Sequence, residues 1–164
     1  NQDASETSTA INWGSTWIER IKRDSQLWIE SGNGGTQLNN TRYLQQMTPG
    51  APAWVLPAAQ APESPGADFF GFDSRVAANI RYCVNVRFTV AHAYNPLTQT
   101  MLPASDANAI PGDVRVWWPR NSQDTDRGAW ACMDGTLPNA QVVSPATRKH
   151  YLSTVVSWRA PGWP

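Results

Sequence analysis

The spacing of apolar residues changes once along this chain, from a helical period to a strand period, and this change limits the fold more than any other feature. Near the N-terminus, apolar or small residues recur every three or four positions, as they do on one side of an α-helix. These residues are Ala10, Gly14, Trp17, Ile18, Ile21, Ser25, Trp28 and Ile29. From Ile80 onward, apolar residues alternate with polar ones, as in a strand that turns one face to a core. The order predicts one long helix followed by a sheet.

The predicted helix covers residues 5–31. Gly32 and the glycine-rich residues 33–35 end it, because glycine adopts the left-handed conformation that closes helices. The side opposite the apolar stripe carries the charged residues Glu19, Lys22, Arg23 and Glu30. The helix is therefore amphipathic, and its apolar face is expected to pack on a sheet.

Residues 32–79 have almost no period, and their prolines prevent any long helix. Within them we expect a short turn or strand at 41–46 and a short strand at 53–56. The aromatic run Phe69-Phe70-Gly71-Phe72 is expected to pin this long excursion back onto the core.

The clearest predicted strand covers residues 80–91. One face is apolar, and the other, which includes Cys83, is expected to meet solvent. Further strands are predicted at 113–118, 129–133 and 150–158. The fold class is therefore α+β, with one long N-terminal helix packed on an antiparallel sheet of about four strands with long loops.

All 164 residues are expected to form one domain, since single domains usually contain about 100–200 residues. Its parts are the helix at 1–31, a loop region at 32–79, the sheet at 80–158 and a tail at 159–164. These residues contain no apolar run long enough to span a bilayer.

Lysine and arginine number 13, as do aspartate and glutamate, so the formal net charge is zero. This removes the broad electrostatic attraction on which nucleic-acid and anionic-membrane binders rely. We therefore expect no nucleic-acid partner.

The chain has two cysteines, Cys83 and Cys132. In an exported protein they are expected to form a disulfide, which would close a loop of about 50 residues and stabilise the fold by about 4 kcal/mol. A catalytic cysteine paired with His92 or His150 is disfavoured, because neither an oxyanion motif nor a known sequence context accompanies it.

Asp124 and Asp126 are the one calcium candidate, but they match only half of a calcium loop, and Gly135 stands where the closing Glu belongs. Asp68 and Asp73 resemble a glycosidase pair in type alone, since nothing in the sequence sets their separation. We expect no catalytic residue, metal site or cofactor.

Nine tryptophans are unusual for this length. Trp17, Ile18, Ile21 and Trp28 are predicted to pack the helix on the sheet. Trp117 and Trp118 are neighbours on a strand and must point to opposite faces. Exposed anchors for partner proteins are expected among Trp54, Trp117 and Trp163.

The helix region resembles a known family. Residues 8–28, STAINWGSTWIERIKRDSQLW, resemble the segment that follows the transmembrane helix in minor pilins of the PilV type and in minor pseudopilins of type II secretion. Residues 151–158, YLSTVVSW, resemble the final strand of these proteins, and the strand at 112–118 is consistent with their sheet. The family's cleavage motif and apolar helix are absent, which a truncated or processed chain beginning at Asn1 would explain.

The resemblance implies a pilin-like roll and a non-enzymatic bacterial subunit. Such a subunit is anchored in the inner membrane by a preceding N-terminal helix, and its head folds in the periplasm. It then joins other minor pilins and the major pilin to prime or cap a type IV pilus, an appendage of adhesion and motility, with a place at the pilus tip.

Two alternatives stay open. The first is a minor pseudopilin of a type II secretion system. The second, from another class, is a secreted carbohydrate-binding module in which Trp117 or Trp130 stacks on sugar rings.

Overall fold

The computed structural model describes residues 2–30, 40–46, 53–89, 94–95, 100–101, 109–120, 132 and 147–157, with the backbone alone at 28–30, 94–95, 100–101 and 157. Within these ranges a long helix, α1 (Gln2–Glu30), precedes six strands. The strands are β1 (Gly66–Ala67), β2 (Tyr82–Phe88), β3 (Tyr94–Asn95), β4 (Thr100–Met101), β5 (Ala109–Pro119) and β6 (Thr147–Ser157). No helix in the described part of the chain is long and apolar enough to cross a membrane.

The main sheet has the order β1-β2-β5-β6, and each pair of neighbouring strands is antiparallel. The strands β3 and β4 form a separate two-stranded sheet. Helix α1 packs chiefly on β5 and β6. The predicted α+β arrangement, a long N-terminal helix on a four-stranded antiparallel sheet, is confirmed.

Several boundaries differ from the predicted ones. Helix α1 begins three residues earlier than predicted, and β2 is shorter than 80–91. Strand β5 begins at Ala109 and so passes through Pro111, which the sequence pattern assigns to a loop. Pro111 lies beside Thr89, just after the end of β2, and its carbonyl accepts the Thr89 amide at 2.9 Å. A missing amide is tolerated there because the β2 ladder has already ended.

The core lies between α1 and one face of the sheet. Trp17 and Ile21 are fully buried, and Ile18 is nearly so, in one cluster with alternate residues of β2, β5 and β6. Gly14 marks the closest approach, since a Cβ there would lie 2.5 Å from Cδ1 of Leu152. A small residue at this helix position therefore lets α1 lie directly on β6.

Ion pairs fix the helix to the sheet near its start. Asp3 pairs with Arg148 of β6 at 2.8 Å, and Glu6 pairs with Arg81, just before β2, at 2.7 Å. The Glu6 side chain is only 2% exposed. Because a buried carboxylate needs a charged partner, the Glu6 pair sets the position of the first turns of α1.

The opposite face of the sheet is not solvated throughout, contrary to prediction. Cys83 and Asn85 are each 1% exposed. Cys83 packs with Trp117 and Cys132, and the partly buried Leu56 lies against them. Residues distant in sequence therefore cover part of this face, and β2 is buried on both sides there.

The excursion before β2 contributes one strand and one bridge to the sheet. Strand β1 lies within the predicted loop region and pairs with β2. Residues 53–56 form no full strand, but Val55 bridges to Val86 through two backbone hydrogen bonds of 2.9 Å. A 3-10 turn at Leu44–Gln46 stands where a short turn or strand is predicted.

Candidate functional site

The two cysteines form the predicted disulfide. The Cα atoms of Cys83 and Cys132 are 5.6 Å apart, within the usual range for a bridged pair. Trp117 is fully buried against this disulfide. The bridge joins β2 to a segment between β5 and β6 and covers the sheet face opposite the helix.

The tryptophans proposed as exposed anchors have different environments. Trp117 is 0% exposed, so its prediction as an interface residue is wrong: the disulfide and Leu56 cover it. Trp118, its neighbour, faces the helix and is 2% exposed. Trp54 is half-buried and reaches over the sheet.

Several predicted residues lie outside the described residues. They are the calcium candidates Asp124 and Asp126, the tryptophans Trp130 and Trp163, the side chain of Trp28, and His92. Among the residues that the structure does describe, no group of three His, Cys, Asp or Glu side chains could hold a metal ion.

The aromatic run forms an exposed turn, which we call the phenylalanine turn (residues 68–72). Phe69, Phe70 and Phe72 are 46%, 75% and 70% exposed, so the prediction that they pin the excursion onto the core is wrong. The carboxylate of Asp68 accepts the amides of Phe70 and Phe72 at 2.9 and 3.0 Å. Gly71 has a φ of 86°, a left-handed conformation that favours glycine. The turn is held by its own polar groups and directs its rings to solvent.

One side of α1 is exposed and uncharged over its first half; we call it the neutral helix face (the exposed side chains of residues 4–16). Five hydroxyl side chains in this stretch each donate to the carbonyl four residues earlier, at 2.8–3.1 Å. They are Thr7, Ser8, Thr9, Ser15 and Thr16. Because these donors are already satisfied within the helix, another surface can cover this face at little cost in lost hydrogen bonds.

The phenylalanine turn lies directly against this helix. A Cβ added at Gly71 would be 3.1 Å from Cγ2 of Thr9. Just after the turn, Asp73 binds Arg20 of α1 through two hydrogen bonds, of which the one to Oδ1 is 3.0 Å long. The turn and the neutral helix face therefore form one continuous surface that combines aromatic rings with small hydroxyl residues.

A second cluster lies on the sheet face opposite the helix; we call it the Trp54 platform (Trp54, Tyr151, Arg87 and Arg115). The Trp54 ring centroid lies 4.6 Å from Cζ of Arg87, 4.4 Å from Cζ of Arg115 and 6.0 Å from the Tyr151 ring. Both arginines rise from the same sheet face, so Trp54 packs over this face. The Trp54 side chain is half-buried.

Polar residues surround the platform in strand register. Arg115 donates to Oδ1 of Asn85 at 2.9 Å, and Arg87 donates to Asp113 at 2.6 and 3.1 Å. Ser153 completes the row with a 2.7 Å hydrogen bond to Asp113. Burial alone would raise the pKa of Asp113, but the hydrogen bonds from Ser153 and Arg87 outweigh it and keep that pKa below its ordinary value.

A third cluster lies around the second half of α1, where Arg20, Tyr43 and Glu63 line a cavity of about 290 Å³ together with Arg42. Glu63 pairs with Arg42 at 3.0 Å, and its carboxylate also accepts the Tyr43 hydroxyl. The Glu63 carboxylate is therefore already bound by other side chains of the protein. The cluster serves chiefly to fasten the segment at 40–46 to the helix.

The sequence alone did not indicate the exposure of residues 68–72 or the clustering of the four residues of the Trp54 platform. A run of phenylalanines reads as core by hydropathy, and only the Asp-to-Gly turn chemistry at Asp68 and Gly71 signals an exposed loop. Trp54 and Tyr151 are almost a hundred residues apart in the chain, and no local pattern connects them.

Comparisons with protein-family models, with curated proteins and with solved structures give no match.

Proposed function

We propose that this protein is a non-enzymatic assembly subunit of the minor-pilin type, which helps to prime or cap a type IV pilus. Its partners are other minor pilins and the major pilin. It is held in the bacterial inner membrane by an apolar helix encoded before Asn1, its head lies in the periplasm, and it later becomes part of the pilus. The sequence resemblance of residues 8–28 and 151–158 supports this assignment, as does the long N-terminal helix on an antiparallel sheet.

The observation that carries the proposal is the surface formed by the neutral helix face and the phenylalanine turn. Charged residues are absent from the exposed positions between Ala4 and Ile18 of α1, all of which are described. A surface without charge, with five of its hydroxyls bonded internally, packs against another subunit without desolvating ions. This is the property that a subunit in a tightly packed filament needs.

The size of the aromatic patch agrees with such a role. The exposed fractions of the three phenylalanines correspond to on the order of 400 Å² of aromatic surface. A stable interface buries about 800 Å² on each partner, so the phenylalanine turn supplies the apolar centre of a contact and the helix face must supply the rest. The two surfaces therefore act together.

A charge placed on the neutral helix face tests the proposal. In the source bacterium with its own gene deleted, Ser8→Glu should fail to restore surface pili counted by electron microscopy, whereas the unchanged gene restores them. Gln26→Glu is the matched control, since it adds the same charge at an exposed position on the charged half of α1. Urea unfolding of the purified variant proteins serves to check that both variants fold.

The outcomes separate the alternatives. Normal piliation in the deletion strain would overturn the pilus assignment, and loss of protein secretion in that strain would assign the chain to a type II secretion system instead. Equal piliation by Ser8→Glu and Gln26→Glu would refute the role of the neutral helix face. A conventional cleaved signal peptide encoded before Asn1 would refute the pilin class as a whole.

A further inference from the structure

The Trp54 platform has no part in the surface proposed for assembly, and it combines features that a purely structural cluster does not need. Tyr151 is 56% exposed although it lies in the middle of an 11-residue strand. Trp54 is half-buried, contacts two guanidinium groups and lies 6.0 Å from the Tyr151 ring. Two neighbouring aromatic rings, one exposed and one half-buried, therefore lie on the same side of the protein.

The backing of the Trp54 ring fixes its orientation. Arg87 lies directly across from Trp54 in the register set by the Val55–Val86 bridge, and Arg115 lies on the next strand. Cation–π contacts to both groups hold the indole in place over the sheet. An aromatic ring that is already fixed can bind a ligand without losing side-chain freedom, which lowers the cost of association.

Hydrogen-bonding groups at the platform are partly unused. Arg87 has five N–H donors, and Asp113 occupies those on Nε and Nη2; the arginine side chain is 36% exposed. Arg115 is 7% exposed, and its buried Nε has no hydrogen-bond partner within the described part of the chain. Ser153 is exposed and retains acceptor capacity beside them. The exposed Arg87 therefore offers donors, and Ser153 an acceptor, next to the rings.

The charge of this face is positive. Arg87, Arg115 and Lys149 carry positive charge there and Asp113 carries negative charge, so the described residues give a net charge of +2 from three cations and one anion. Lys149 and Arg87 lie in rows four residues apart, about 13 Å along the strand direction, with Tyr151 in the row between. Such spacing suits an extended anionic chain better than a single small anion.

We propose that the Trp54 platform binds an acidic oligosaccharide, whose sugar rings stack on Trp54 and Tyr151 and whose carboxylates pair with Arg87 and Lys149. Sugar rings offer an apolar C–H face to aromatic rings and hydroxyls to the polar row at the same time. An apolar peptide would leave the remaining donors of Arg87 and the acceptor of Ser153 without partners. A nucleic acid is disfavoured because only two cations, Arg87 and Lys149, are placed to pair with phosphates, and on a chain of zero net charge they release few counterions.

Titration calorimetry of the purified protein with a hexamer of galacturonic acid tests this proposal. We expect binding that weakens about tenfold in Tyr151→Ala, through loss of one stacking ring, and that weakens further as salt rises. Lys149→Gln should weaken binding of the hexamer and reduce its salt dependence. Phe70→Ala, an exposed aromatic outside the platform, is the matched control and should bind as the unchanged protein does.

Nuclear magnetic resonance locates the site independently of affinity. One indole N–H signal, assigned to Trp54 through its loss in Trp54→Phe, should shift when the hexamer is added. Tyr151→Ala is an exposed substitution, and its unfolding in urea shows whether the fold is kept.

Four results would overturn the proposal. They are the absence of binding at millimolar hexamer, equal binding of neutral cellohexaose, unchanged affinity in Tyr151→Ala, and tighter binding of a thymidine dodecamer. Failure here leaves the assembly proposal intact, because the pilus experiment alters the opposite side of the sheet.

Discussion

The guanidinium of Arg20 donates two hydrogen bonds to the carboxylate of Asp73, which lies 53 residues further along the chain. The same guanidinium lies 4.7 Å from the ring centroid of the buried Trp17. Asp73 directly follows the phenylalanine turn. One pair of side chains therefore joins the helix core to the base of the surface that we assign to assembly.

Removing the charge of Asp73 should destabilise the protein. In Asp73→Asn we expect the free energy of unfolding to fall by about 1.5–3 kcal/mol, because a mostly buried guanidinium loses its charged acceptor. Urea denaturation measures the change. Lys22→Gln breaks the exposed pair with Glu19 and should cost less than about 1 kcal/mol. Equal losses in the two variants would contradict a special role for the Arg20 pair.

Asp24 should be among the most sensitive polar positions. The residue is 6% exposed, and its carboxylate accepts the backbone amides of Arg42, Tyr43 and Leu44 at 2.6, 2.7 and 3.2 Å. In Asp24→Ala we expect a loss of about 3 kcal/mol or more, since each buried donor left unsatisfied costs about 1–3 kcal/mol. Urea denaturation gives the loss, and limited proteolysis should cut within 40–46 first. Asp24→Asn keeps one carbonyl oxygen and should be intermediate; Ala and Asn variants of equal stability would refute the explanation.

The disulfide should contribute strongly to thermal stability. The double variant Cys83→Ser/Cys132→Ser should unfold more easily by about 4 kcal/mol, because the unfolded chain is no longer constrained across a separation of 49 residues. Thermal melting with and without a phosphine reductant measures this. The reductant should lower the Tm of the unchanged protein and leave the variant unaffected. An unchanged Tm in the variant would contradict the prediction.

Tyr43 should make stability depend on pH at alkaline values. Burial, followed by the hydrogen bond to the Glu63 carboxylate, raises the pKa of Tyr43 from 10.0 to about 12. Between these two values the folded protein holds a proton that the unfolded chain has lost, so this stabilisation is complete below pH 10 and declines toward pH 12.

Two measurements test the titration of Tyr43. Phenolate absorbance should show a high-pKa tyrosine that disappears in Tyr43→Phe, and the unfolding free energy of that variant should fall less between pH 9 and pH 11. Identical pH profiles in the two proteins would contradict the assignment. Subtracting the unfolding free energy of Tyr43→Phe from that of the unchanged protein at each pH removes the contribution of the other tyrosines and of the lysines.

Substitutions in the phenylalanine turn should differ in their effect on stability. Gly71 fixes the backbone of the turn, whereas the Phe70 ring faces solvent. Gly71→Ala should lower the unfolding free energy by about 1–2 kcal/mol, because its φ of 86° is strained for alanine and the new Cβ meets Thr9. Phe70→Ser should change stability by less than about 0.5 kcal/mol, since the ring is 75% exposed. Chemical denaturation checks both values. A large loss in Phe70→Ser would mean that the ring supports the fold, and it would remove the turn as a docking surface.

Local pattern predicted the helix and the helix-facing side of the sheet well. Tyr82, Val84 and Val86 alternate along β2 and all are buried toward α1, because a strand has only two faces and an apolar period of two marks one of them. The same pattern was misleading for the other face. Cys83 and Asn85 are also buried, under residues that are far from them in the sequence.

The candidate surfaces were predicted less well, for a related reason. Three phenylalanines in a row of four suggest burial, but backbone hydrogen bonds from Phe70 and Phe72 to Asp68 fold the segment into a turn that leaves no core beneath it. The sequence names Trp54 as a candidate exposed anchor, and the structure places it half-buried over the sheet. Its neighbours Arg87 and Tyr151 could not be identified, since the strand register that brings them together is a property of the whole sheet.

By itself, the sequence determined the elements of this protein that depend on short-range spacing: a long amphipathic helix, alternating strands after it, and two cysteines able to bridge. Periods of 3.6 and 2 arise from backbone geometry, so they can be read from neighbouring residues. The tertiary structure alone decided which aromatic residues outside the helix–sheet core are buried and which are displayed. Trp117 and Phe70 are both large aromatic residues, and their environments differ because the disulfide at Cys83 covers one and nothing in the described chain covers the other. Burial depends on what long-range contacts place above a side chain, and no local period encodes those contacts.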